Sequence, residues 1–320
     1  HGGGLRGLSV VGGSVGGGSL RGRCPVSGMS ALAHTDPGVR CRAVECYGEA
    51  TASGIKPISG LEAYVVDDAL VKENMKWNHV TLLAENNTGY QNLVRICSLG
   101  YLEGFYYKPR VDKQVLREHS EGIIALTGCL SGRLSKLLLR GDKAAAIEEV
   151  LELQDIFGTE NVYIEIHNHG MKEQARIKPL LIELAAATGR PLVAANDAHY
   201  LYKEDFSAHE ALLCIQTGST LEEKGMALPS NDFYLKNADE MAQAFHEIPE
   251  ALATTIEIAQ RCNVTMEFGN LLVPGLETPD GSDGDVFVRR PCEEALSSRL
   301  PAGVSPKARH RVRVVRPTTP

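Results

Sequence analysis

The chain has 320 residues, 43% of them apolar, and a formal net charge of -7. That length holds one large domain or two small ones, and the acidic balance excludes a global basic face for nucleic acid, so any contact with DNA has to be local or metal-mediated. The 8 cysteines form no CxxC pair, and neither a secretory leader nor an apolar run of the ~20 residues a membrane span needs is visible. A zinc ribbon, a disulfide framework and a membrane partner are therefore not expected, and a reducing, cytoplasmic setting is.

Residues 1–30 are rich in Gly and Ser and are expected to be disordered. They do not read as a phosphate loop, because no strand precedes them, no helix follows and no Lys-Ser/Thr closes them. Ala31 to Gly38 reads as a short strand ending in a turn, and Val39 to Ser53 as a helix closed by Gly54. Lys56 to Val66 is the next strand, with Glu62 breaking its apolar alternation. A Glu facing inward needs a partner, and a metal is one; a solvated, outward Glu is the competing reading. Trp77 to Ala84 is a strand with His79 at its start. Asn86 to Leu99 is an amphipathic helix with Leu93, Ile96 and Cys97 on its apolar side. The aromatic and basic stretch Tyr101 to Arg110 could stack bases, but the favoured reading is a surface loop packed on its own rings.

Gly122 to Cys129 is a buried strand. Cys129 is either a small apolar filler or, beside other ligands at a strand's carboxyl end, a thiolate ligand. Two helices follow, Leu130 to Arg140 and Asp142 to Phe157, with Asp142 as N-cap and Gly158 as stop. In Asn161 to His169 a period of two puts Glu165, His167 and His169 on one face. Met171 to Thr188 is a helix closed by Gly189. The apolar run Leu192 to Ala195 is a buried strand, and the same period brings Asp197 and His199 to one side just beyond it. A carboxylate and an imidazole there suit a divalent metal. Asp-x-His alone is a weak signal; the strand ends upstream, each with another candidate ligand, strengthen it. Helices are expected near 205–217, 237–245 and 249–262.

Strands alternating with helices, without long antiparallel runs, predict an α/β fold with a parallel sheet covered by helices. The position of Glu62, His79, Cys129, His169, Asp197 and His199 at strands or their ends favours a barrel, where chemistry collects at one face. Beyond it, residues 271–320 read as a Pro- and Gly-rich linker, a helix over 286–300 with Glu293, Glu294 and Arg299 exposed, and a disordered basic tail. The expected domains are thus 1–30, 31–270 and 271–320.

Several blocks together resemble a known family: Gly54-Ile-Lys-Pro-Ile-Ser-Gly-Leu-Glu-Ala-Tyr64, His79-Val-Thr-Leu-Leu-Ala-Glu-Asn86, Gly122-Ile-Ile-Ala-Leu-Thr-Gly-Cys-Leu-Ser-Gly132, Tyr163-Ile-Glu-Ile-His-Asn-His-Gly170, Ala195-Asn-Asp-Ala-His-Tyr200 and His209-Glu-Ala-Leu-Leu-Cys-Ile-Gln-Thr-Gly218. In order and spacing they resemble the PHP (polymerase and histidinol phosphatase) domains, in the branch found at the amino end of bacterial replicative DNA polymerase III alpha subunits. The resemblance implies a distorted (βα)7 barrel with a metal cluster at the carboxyl face. It implies metal ligands at Glu62, His79, Cys129, Asp197 and His199, with Asp36, Glu165 and His169 around them, and zinc or manganese as the metal.

Departures from the family pattern are equally specific. The opening His-x-His strand has no match in residues 1–30, so the first strand is expected to be missing. Thr35-Asp36-Pro37-Gly38 puts Pro37, which has no donor atom, where the family has a His. The palm, which carries the magnesium-binding carboxylates of nucleotidyl transfer, lies beyond this stretch, so the chain is expected to be a fragment of a replicative polymerase with a degraded site for 3′–5′ exonuclease or phosphoesterase chemistry. A scaffold that docks a proofreading partner and a free-standing phosphoesterase are the alternatives. Implied partners are DNA and other holoenzyme subunits, such as a proofreading exonuclease and a sliding clamp.

Overall fold

A computed structural model describes residues 9–11, 29–73, 76–223, 228–270, 277–300 and 303–314. Two compact units divide the chain, His1–Thr265 and Met266–Pro320. The first is built on eight strands: β1 (Ser9–Val11), β2 (Ala31–His34), β3 (Lys56–Val65), β4 (Asn78–Ala84), β5 (Arg110–Val111), β6 (Ile123–Leu126), β7 (Val162–His167) and β8 (Leu192–Ala195). They form one sheet in the order β1-β2-β3-β4-β6-β7-β8, with β5 added on β3.

Two expectations about this sheet need correction. First, β4 runs antiparallel to both neighbours, with Tyr64 opposite His79 and Thr81 opposite Leu126. A parallel return needs a crossover, usually a helix, and the described residues between β3 and β4 contain none. The reversal places the start of β4 beside the end of β3, so His79 lies at the face where the parallel strands end. Second, residues 1–30 do supply an edge strand: β1 pairs parallel with β2, Ser9 opposite Leu32 and Val11 opposite His34. A three-residue ladder needs only backbone donors and acceptors, which a Gly-rich stretch keeps. The expected disorder of the remainder of 1–30 falls on residues 1–8 and 12–28, outside the described residues.

Helices flank the strands: α1 (Ala43–Ala52), α2 (Asn87–Leu102), α3 (Lys113–Glu118), α4 (Arg133–Arg140), α5 (Lys143–Phe157), α6 (Lys172–Thr188), α7 (Phe206–Thr217), α8 (Ala238–Ala244) and α9 (Pro249–Arg261). Their ends follow from local chemistry. The Asn86 side chain accepts the Gly89 N–H at 3.0 Å and Asp142 accepts that of Ala145 at 3.1 Å. Gly189 closes α6 in the left-handed region, at φ +65.

Strand alternation sorts the apolar residues into two faces. Leu61, Ala63 and Val65 of β3 join Val80, Leu82 and Ala84 of β4, and Ile123 and Ala125 of β6, under Leu93 and Ile96 of α2 and Leu153 of α5. The opposite face brings Ala31 and Ala33 of β2, Ile58, Leu83, Ile124, Leu126, Tyr163 and Val193 and Ala195 of β8 into one cluster with Ile258 and Ala259 of α9. Residues of β2 and β8 meet there although they stand far apart in the sheet order, so the sheet is curled around this cluster. Among the described residues no ladder joins β8 to β1.

The aromatic loop is held from beneath by Arg110, which is 2% exposed and donates to the carbonyls of Gly104, Ala69 and Val71. Its guanidinium is spent on the fold, not on phosphate. Tyr101 and Phe105 stack at 6.0 Å between centroids.

The second unit contains α10 (Gly284–Arg299) and α11 (Pro306–Val314). Asp283 caps α10, accepting the Asp285 N–H at 2.9 Å. Part of the basic tail expected to be disordered is α11. Ser305 accepts the Ala308 N–H at 3.1 Å, and Pro306 stands in the first turn, where its missing N–H costs nothing. Residues 315–320 of that tail, and 271–276 of the expected linker, lie outside the described residues. Among the described residues no helix is long and apolar enough to cross a membrane.

Candidate metal centre

The inner face of the curled sheet is apolar at one end and polar at the other. On β3, β4 and β7 the residues in phase with the inner cluster become Glu62, Thr81, Glu165 and His167 toward the carboxyl face. Glu62, His79 and Cys129 converge there, each offering a ligand atom within 4.8 Å of the others. Glu62 Oε1 lies 2.7 Å from His79 Nδ1, and Cys129 Sγ lies 3.9 Å from Glu62 Oε1 and 3.7 Å from His79 Nδ1. All three are half-buried.

The donor set fits a divalent cation. Carboxylate, imidazole and thiol are the three side chains that bind zinc and its neighbours, and ligands on one tetrahedral ion lie about 3.3–3.6 Å apart. The two sulfur separations sit just above that range, while Glu62 Oε1 and His79 Nδ1, 2.7 Å apart as an ion pair, are closer than two ligands of one ion and have to separate. Burial, reinforced by the carboxylates of Asp197 and Glu62, holds the Cys129 thiol well above its ordinary pKa. A cation at the centre reverses that balance and favours the thiolate. Gly128, before Cys129, has φ +82, and a Cβ there would lie 2.4 Å from the His79 carbonyl oxygen. Only glycine lets the loop after β6 pass this close to the start of β4.

Asp197 and His199 stand beyond β8 but not on an extended segment. Asp197 has φ +43, so a period of two does not govern the pair. A hydrogen bond brings them together instead: His199 Nδ1–H donates to the Asp197 carbonyl at 2.9 Å, which leaves Nε2 as the ring's free acceptor in the neutral form. Asp197 Oδ1 is 3.8 Å from His199 Nδ1, and Oδ2 is 4.0 Å from His167 Nδ1. Burial works to raise the Asp197 carboxyl, but His199, then His167, His169 and His79, outweigh it and keep the pKa below the ordinary value. Asp197 thus feels the imidazoles of both groups, although among the described residues only Glu62, His79 and Cys129 meet as a compact ligand set.

The surrounding residues are tightly bound. Glu165 accepts from Thr81 Oγ1 and the Gly128 N–H, both at 3.0 Å, and from His167 Nε2 at 2.9 Å. His169 lies past the end of β7 and uses both ring nitrogens: Nε2–H donates to the Asn196 carbonyl at 2.7 Å, and Nδ1 accepts from Gln174 at 2.9 Å. Burial first, and the charge of His167 second, push its pKa down to about 3. Asp36 is clamped by Arg42, with contacts of 3.0–3.3 Å, and lies 3.1 Å from His34 Nε2 in an ion pair without hydrogen-bond alignment. Sequence reasoning grouped His167 with His169 and gave it no role of its own. The signal was available in Glu165-x-His167, a carboxylate and an imidazole in phase on one buried strand.

The PHP domain family matches residues 10–169, a span that begins inside β1 and takes in Glu62, His79 and Cys129. The chain belongs to the PHP domain family. Among curated proteins it is 39% identical over 279 residues to the DNA polymerase III subunit alpha of Treponema pallidum, covering 85% of this chain and 24% of that protein. The corresponding subunit of Thermus aquaticus is 41% identical over 284 residues, with 85% and 23% covered, and that of Escherichia coli O157:H7 is 39% identical over 288, with 89% and 24% covered. This PHP chain therefore spans about a quarter of the length of the curated relatives it matches. Among solved structures, an amidohydrolase from Chromobacterium violaceum covers 74% of this chain and 96% of its own at 13% identity and a TM-score of 0.38, a distant likeness from which nothing further follows.

Proposed function

We propose that this chain is the PHP module of a replicative DNA polymerase III alpha subunit and that its carboxyl-face centre holds a divalent cation. The observation that carries the reading is the convergence of Glu62, His79 and Cys129 within 4.8 Å in a member of this family. Asp197 and His199 complete the ligand set, and Glu165 and His169 hold the residues around it; Asp36 is committed to Arg42 and His34. Zinc or manganese is the metal in this reading, with magnesium serving a polymerase part outside this chain. The setting is cytoplasmic, and the partners are DNA and other holoenzyme subunits, such as a proofreading exonuclease and a sliding clamp.

A bound cation would supply a Lewis acid and an acidified water for attack on a phosphodiester. The chain's own residues supply the rest. Glu62 and Asp197 bring the negative charge that attracts the cation. His79 and His199 present ring nitrogens, and Glu165 fixes the floor of the site. The expected test is thermal melting with and without chelator. A ligand that binds only the native state at 100 times its Kd stabilises by about 2.7 kcal/mol, so chelation should lower the Tm of the wild type and leave His79→Ala unchanged. A wild-type melt indifferent to chelator contradicts the reading.

The clamped Asp36 and the donorless Pro37 favour a second reading, in which the cation is structural and the module serves as a scaffold. The two separate on hydrolysis of a 3′-ended oligonucleotide. Metal-dependent cleavage lost in Asp197→Ala supports a nuclease, and binding without cleavage supports the scaffold.

A further inference from the structure

His167 closes β7 with its side chain 6% exposed. Its Nε2 lies 2.9 Å from Glu165 Oε1, and a carboxylate only accepts, so Nε2 carries a proton, and whenever the ring is neutral its lone pair is on Nδ1. That Nδ1 is buried and has no hydrogen-bond partner. Buried acceptors are ordinarily paired, and what faces this one is the Asp197 carboxylate, 4.0 Å away. Glu165 cannot swing aside to serve it, because Thr81 and the Gly128 N–H hold its other oxygen at 3.0 Å. Two residues on, His169 makes the contrast: both of its nitrogens are taken. Cys129, Glu165 and His167 line one small cavity.

A carboxylate behind one ring nitrogen and an unpartnered lone pair on the other is the arrangement that orients a metal-binding imidazole. We propose that His167 Nδ1, together with Asp197, is a ligand of the divalent cation at this centre. The inference rests on the metal-binding reading above and adds a ligand to it. Zn²⁺ binds the neutral ring at Nδ1 while Nε2–H stays on Glu165, so occupancy exchanges any proton on Nδ1 for metal.

The test is a Zn²⁺ titration of the chain carrying ¹⁵N-histidine, followed by long-range ¹H–¹⁵N spectra, with His167→Gln and His79→Gln as assignment variants. Glutamine keeps an N–H for Glu165 and removes the Nδ1 ligand. The expected result is a shift of the His167 Nδ1 signal in step with that of His79, with Nε2 still protonated, and a weakening of Zn²⁺ affinity on the order of 10–100-fold in His167→Gln. If the His79 signal moves and that of His167 does not, the inference is overturned while the metal reading stands. If neither moves, the metal reading fails and this inference with it. Should His167→Gln fold poorly, the wild-type Nδ1 shift decides alone.

Discussion

Gly128 links the backbone to the candidate centre. With φ +82 and the His79 carbonyl 2.4 Å from where a Cβ would stand, Gly128→Ala has to displace either the Cys129 loop or the start of β4. The left-handed backbone alone costs an alanine about 1–2 kcal/mol. We expect Gly128→Ala to lower the Tm and to weaken Zn²⁺ binding, read by competition with a chromogenic chelator; unchanged affinity would mean that the loop does not set the geometry. A second prediction concerns His34. Burial works to lower its pKa, but Asp36 and then Cys46 outweigh burial and push it up to about 9. The folded state thus favours the imidazolium. Its stabilisation is fully present below the ordinary value of 6.5 and is lost as pH rises through about 9. The Tm difference between wild type and His34→Gln should therefore shrink across that window, and a difference constant with pH would contradict the ion pair. Glu62, His79 and Cys129 were legible because each interrupts, opens or ends an apolar run. His167 was not separable from His169, because a period of two treats them alike until one knows that β7 stops at His167.

For most of the elements, position could be read from pattern and direction could not. The strand Leu192–Ala195 was bounded correctly by its apolar run and flanking Gly and Pro, and α5 and α6 by Asp142, Gly158 and Gly189. The direction of β4 depends on what joins it to β3, and the missing helical period between them was the signal that went unused. β1 escaped notice because a ladder of backbone bonds leaves little trace in side-chain pattern. The capping chemistry gives a prediction at this scale: Asn86→Ala removes the 3.0 Å bond to the Gly89 N–H and should cost about 0.5–2 kcal/mol in urea unfolding with m unchanged. A loss well under that would place the start of α2 under tertiary control.

At the scale of the molecule, the antiparallel β4 and the curl of the sheet bring residues from distant parts of the chain to one face. Glu62 comes from β3, His79 from β4, Cys129 from the loop after β6, His167 from β7 and Asp197 from the turn after β8. Among the described residues the ion pairs of Glu62, Glu165 and Asp197 are all to imidazoles, His79, His167 and His199, which a divalent ion takes as ligands together with the carboxylates. The Arg42–Asp36–His34 cluster, in contrast, neutralises its own carboxylate and needs none. That asymmetry is why the account places a single ion on the Glu62–Cys129 side.

The most direct measurement is metal content by elemental analysis of the purified chain and of Asp197→Ala and Cys129→Ser. The account predicts about one equivalent of zinc or manganese in the wild type, from a single ligand set, and a marked loss in both variants. A wild type free of metal after exposure to both ions, or one that carries a full cluster of several, would contradict it.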